Sequence, residues 1–98
     1  MFIVLQHRIT NPQTAFARGQ NLLDGNGVPY GTRVLQFYPS RDRSTVICLW
    51  EAPSAGVVQK YVDSTMGDSS DNSCFDVDSE FAFARQPLGL RESAAAAV

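Results

Sequence analysis

A chain of 98 residues, 44% hydrophobic and 18% charged, has the composition of one folded domain, since two would leave neither half enough core. The formal net charge of −2 leaves no basic excess to neutralise a phosphate backbone, which argues against a nucleic-acid partner. No apolar run approaches the roughly 20 residues of a membrane span, residues 1–5 are too short and lack the basic flank of a signal peptide, and two cysteines make no disulfide framework, so the expected home is a reducing cytoplasm away from membranes.

Residues 2–9 (FIVLQHRI) are apolar and β-branched enough for a strand. Asn11-Pro12 reads as an N-cap followed by proline at the first helical position, and predicts a helix to about Asp24. Phe16, Leu22 and Leu23 supply its apolar positions, and Gly19 weakens it by about 1 kcal/mol relative to alanine. The glycines and proline of residues 24–31 stop it in a loop. Residues 32–39 (TRVLQFYP) and 45–51 (TVICLWE) are two strands, and the polar segment between them reads as a hairpin connection. Ala52-Pro53-Ser54 opens a second helix, in which Val57, Val58, Tyr61, Val62 and Met66 recur at helical spacing. A polar loop over 67–72 and a fourth strand over 74–84 (CFDVDSEFAFA) follow. The domain is expected over residues 1–85, with a tail over 86–98 that is either a short helix or a frayed end.

The order βαββαβ, with two crossovers flanking one hairpin, predicts an α+β ferredoxin-like sandwich. Right-handed crossovers place strands 1 and 3 in the centre of an antiparallel sheet of order 4-1-3-2, with both helices on one face. Side chains alternate across strands. Pairing Phe37 with Ile47 and Leu35 with Leu49 also sets Arg33 opposite Glu51, a favourable cross-strand pair. The odd-numbered face, with Leu35, Phe37, Ile47, Leu49, Phe75, Phe81 and Phe83, is then assigned to the helices. The even face holds Val4, Gln6, Arg8, Val34, Gln36, Tyr38, Val46, Cys48, Trp50, Asp76 and Asp78. Left open, it would be a sizeable apolar patch, which predicts a two-fold homodimer packed sheet to sheet.

Cys48-Leu49-Trp50-Glu51-Ala52-Pro53-Ser54-Ala55, followed by Val57-Val58 and Tyr61-Val62, resembles the third-strand-to-second-helix junction of the dimeric α+β barrel superfamily. Asn72 with Phe75-Asp76-Val77-Asp78 resembles the fourth strand of one uncharacterised bacterial group within it. The resemblance spans roughly residues 1–85 and implies a dimer with a barrel-like space between two sheets. That superfamily includes cofactor-free monooxygenases, haem-degrading and haem-peroxidase proteins, muconolactone isomerases and small metal-binding proteins, so the fold is a weak guide to activity.

The residues themselves identify no cofactor and no catalytic set. His7, the only histidine, lies on the core-facing stripe and reads as a satisfied, partly buried side chain, with a metal ligand as the weaker alternative. Cys48 and Cys74 fall on strands separated by strand 1, about 10 Å apart at ~4.8 Å per strand, beyond disulfide reach. Asp76, Asp78 and Glu80 alternate on one face as a cation-binding strip or a solvated edge, with Arg8 near Asp76 as a structural pair. Gln6, Arg8, Gln36, Tyr38, Trp50 and Asp76 form the candidate ligand-binding set, read either as a small-molecule site or as a polar-decorated interface. Two functions remain open: a dimeric module that binds a small ligand or metal between its sheets, and a cofactor-independent monooxygenase or isomerase acting on a small organic molecule.

Overall fold

The computed structural model describes residues 1–85; the expected tail over 86–98 lies outside them. The elements run β1 (Phe2–Ile9), α1 (Pro12–Asp24), β2 (Arg33–Pro39), β3 (Thr45–Glu51), α2 (Ala55–Met66), a 3-10 turn η1 (Gly67–Ser69) and β4 (Ser70–Asp76). The four strands form one antiparallel sheet of order β2-β3-β1-β4, the expected order read from its other edge. The architecture is ferredoxin-like α+β, with the core between one sheet face and the two helices. Among the described residues no helix is long and apolar enough to cross a membrane.

Local chemistry explains where the helices begin and end. The Asn11 side chain accepts from the Thr14 N–H at 3.2 Å, with Pro12 in the first turn, and Gly25 closes α1 in the left-handed conformation at φ 74°. Ser54 caps α2 through the Val57 N–H, also at 3.2 Å. Arg18 of α1 donates to the Met66 carbonyl at 2.8 Å and to Asp68 at 3.2 Å. Gly67 makes room for that contact, since a Cβ there would meet the Arg18 Nη1 at 2.9 Å. These bonds hold α1 against α2 and η1.

The sheet corrects the expected assignment of faces. Residues opposite one another in a pair share a face, and β1 meets β3 with odd numbers opposite even ones: Ile3 with Trp50, Leu5 with Cys48, His7 with Val46. Val46, Cys48 and Trp50 therefore join Ile3, Leu5 and His7 against the helices, while Ile47 and Leu49 face outward. Trp50 packs edge-on against Tyr61 of α2, with ring centroids 6.2 Å apart. In β2, Arg33 and Val34 pair with Glu51 and Trp50, but Gln36 pairs with Leu49 and Phe37 with Cys48. Leu35 is thus the extra residue of a β-bulge. It sits on the outer face beside Gln36, and Val34 and Phe37 both turn toward the core. The expected Arg33–Glu51 pair forms, at 3.0 Å.

β4 is shorter and earlier than expected. Its partner is the edge of β1, from Ile9 opposite Ser70 to Ile3 opposite Asp76, and the Val77 N–H to the Phe2 carbonyl is the last rung. Beyond that rung no β1 backbone remains to pair with, so Asp78 and Glu80 lie in a turn in which the Glu80 N–H donates to the Asp78 carboxylate. Phe81 and Phe83, expected in the core, are about four-fifths exposed.

Candidate functional site

Ala15 and Gly19 lie four residues apart on one side of α1, the side turned toward the sheet. Ala15 carries only a methyl group and Gly19 no side chain, and a Cβ at Gly19 would meet nothing within 4 Å. The result is a pocket of about 200 Å³ between α1 and the sheet. Phe16, Leu22 and Leu23 line it from the helix, and Val34, Phe37 and Val46 from the strands. At the hairpin tip, the Asp42 carboxylate accepts from the Ser40 and Ser44 hydroxyls and the Ser44 N–H, which hold its pKa down to about 2. That turn carries the Arg43 guanidinium to 5.4 Å from the centre of the Phe16 ring, at the edge of the pocket.

Three polar-bearing side chains complete the lining: His7, Cys48 and Trp50. The Trp50 ring is 1% exposed, and its indole N–H has no hydrogen-bond partner. Thr32 Oγ1 is also buried without a partner, but it lies away from the pocket wall. A buried donor left unpaired costs about 1–3 kcal/mol, and the Trp50 nitrogen, with almost no accessible surface, meets an acceptor from the pocket only if the wall around it shifts.

Protonation at the site follows from a chain of contacts. Asp63 of α2 can only accept, and it takes the Asn72 Nδ2 at 3.0 Å along with the Gln59 amide. Asn72 Oδ1 is therefore turned to Ser70 Oγ and His7 Nδ1, each at 2.7 Å. Nδ1 is the protonated nitrogen, and Nε2 keeps its lone pair. The Cys48 S–H donates to Nε2 at 3.6 Å. Burial lowers the His7 pKa from its ordinary 6.5, against smaller opposing effects of Asn72 and Asp63, and leaves a neutral imidazole at pH 7. Burial pushes the Cys48 thiol up to about 12, only partly offset by the Trp50 N–H. The second thiol, Cys74, is raised by burial and by Asp63 and Asp76; it shares its S–H between the Ala55 carbonyl and Gln59 Oε1. Both cysteines are free.

The expected ligand-binding set is divided between the two faces. Gln6, Arg8, Gln36 and Tyr38 lie together on the outer face, where Gln6 and Arg8 border a shallow groove with Asp71 and Ser73. Trp50 lies on the opposite face, in the core, because β3 pairs with β1 in the odd-to-even register. Asp76 is opposite Ile3, at the far end of β1 from Arg8, whose cross-strand neighbour is Asp71; the expected Arg8–Asp76 pairing does not occur. His7 is buried as expected, with both ring nitrogens engaged. Among the described residues no three His, Cys, Asp or Glu side chains form a metal-binding group. Ala15, Gly19, Asn72 and Asp63 were not expected at a site; the spacing of Ala15 and Gly19 was the one signal available in the sequence. No protein-family model matches the sequence, and no curated protein or solved structure matches it.

Proposed function

We propose that this domain binds a small, largely apolar molecule carrying a hydrogen-bond acceptor, in the pocket between α1 and the sheet. The observation that carries the reading is an apolar pocket of about 200 Å³ whose lining includes Trp50, a residue with a buried, unpartnered N–H. An engineered apolar cavity of about 150 Å³ takes up benzene, so a single substituted ring matches this volume. The ligand expected between two sheets is thereby moved to the helix side. The 3.6 Å approach of the Cys48 sulfur to His7 Nε2 favours a second reading, a cofactor-independent enzyme acting in the same pocket.

The dimeric α+β barrel remains the proposed assembly. Phe2, Leu35, Ile47 and Phe75 are 41%, 37%, 36% and 59% exposed on the outer face. Arg8 opposite Asp71 and Arg33 opposite Glu51 flank that panel with balanced charge, so an identical copy meets no net repulsion.

Trp50 is the only tryptophan, so its indole N–H gives one resolvable signal in a ¹H–¹⁵N spectrum. Titration with cyclohexanone is expected to move that signal saturably. An unmoved indole signal at millimolar cyclohexanone sinks the pocket reading.

A further inference from the structure

We propose that Cys48 is a nucleophile with His7 as its base, adding to a small apolar α,β-unsaturated carbonyl compound held in the α1–sheet pocket; the proposal rests on the pocket reading above. Three observations meet at one sulfur. The Cys48 S–H points at the His7 Nε2 lone pair at 3.6 Å. The His7 ring is fixed from behind by Asn72, which is itself oriented by Asp63. Trp50, whose N–H is buried and unpartnered, lines the same pocket as Cys48 and His7.

The roles follow from the geometry. The Cys48 sulfur forms a bond to the alkene carbon remote from the carbonyl as its proton passes to His7 Nε2. The alkene π pair moves toward the carbonyl and gives an enolate, whose oxygen accepts from the Trp50 N–H. His7 Nε2 then returns the proton to the carbon next to the carbonyl. The product is a saturated thioether, all atoms are retained, and no oxidant, leaving group or water is required. Asn72 and Asp63 are positioning residues: Asn72 Oδ1 accepts from Nδ1 and stabilises the transient imidazolium.

This arrangement has a kinetic signature. Burial keeps Cys48 protonated well above neutral pH, so thiolate attack alone would accelerate about tenfold per pH unit through the alkaline range. Attack assisted by His7 instead follows the neutral imidazole: it rises at acid pH and is level above neutrality. The titratable groups facing His7 are Cys48 from β3 and Asp63 from α2; β4 presents Asn72, and α1 presents Ala15, Phe16, Gly19 and Leu22, none of which titrates.

The test is reaction of the full chain with cyclohex-2-enone across pH, with the adduct located by peptide mass spectrometry. We expect modification at Cys48, a rate level from neutrality to about pH 9, and protection by cyclohexanone. His7→Gln should slow the reaction about a hundredfold and restore the steep pH dependence. If that variant no longer binds cyclohexanone, the pH profile of the unaltered chain decides alone. An adduct confined to Cys74, an unmodified Cys48 in a chain that still binds cyclohexanone, or a rate climbing steadily through alkaline pH would each overturn the proposal. A chain that fails to bind cyclohexanone at all locates the failure in the pocket itself.

Discussion

Nδ1 of His7 lies 2.7 Å from Oδ1 of Asn72, across the β1–β4 pair. This bond sets the His7 tautomer, because it leaves Nε2 as the acceptor facing Cys48. Asn72→Ala leaves the His7 N–H buried and unpaired. The expected cost is about 1–3 kcal/mol, read as a lower urea midpoint at unchanged slope. A variant as stable as the parent would show that His7 finds another partner.

His7 also makes stability depend on pH. Its folded pKa lies below the unfolded 6.5, so between those two values the unfolded chain holds more protons. Stability therefore rises with pH through that window, is complete above 6.5, and is lost as pH falls toward the folded value. Thermal unfolding should show a lower midpoint near pH 5 than at neutrality, with a shallower slope in His7→Gln. Equal slopes in the two proteins would assign the acid sensitivity to other groups.

Gly19 separates the needs of the helix from those of the pocket. A Cβ at this position meets nothing within 4 Å. Gly19→Ala should stabilise the fold by up to about 1 kcal/mol through helix propensity and leave cyclohexanone binding in place. Gly19→Leu should fill the space and abolish binding while the chain stays folded. Retained binding in the leucine variant would mean that the ligand lies elsewhere.

Ile47 and Cys48 are neighbours in sequence on opposite faces of β3. Ile47→Glu places a charge on the outer apolar panel with no direct effect on the pocket. Sedimentation should show a dimer for the parent and a monomer for the variant, both able to bind cyclohexanone. A parent that sediments as a monomer at micromolar concentration removes the proposed pairing.

The framework was legible in the sequence where signals were local. Asn11-Pro12 and Ser54 marked helix starts, and the polar turn at 40–44 marked the hairpin. The crossover rule then supplied the strand order. β4 was misplaced because Ser70-Asp71-Asn72-Ser73 has no apolar alternation; its pairing comes from the unpaired edge of β1, and Ser70 and Asn72 bond each other while Asn72 also bonds Asp63 of α2. The site was misread for a different reason. Alternation says which residues of one strand share a face, but only the register between β1 and β3 joins Cys48 to His7, and register is a tertiary property.

The bulge at Leu35 gives β2 two reading frames. Residues before it are counted out from the Trp50 end of β3, and residues after it from the Ile47 end. Deleting this one residue would restore strict alternation with the pairing kept: Val34 opposite Trp50, Gln36 opposite Leu49 and Phe37 opposite Cys48. The bulge is what lets Val34 and Phe37, three positions apart, both face the pocket. Losing the bulge while keeping the residue would instead turn Gln36 inward in place of Phe37, so one extra backbone unit decides whether that wall is aromatic or polar.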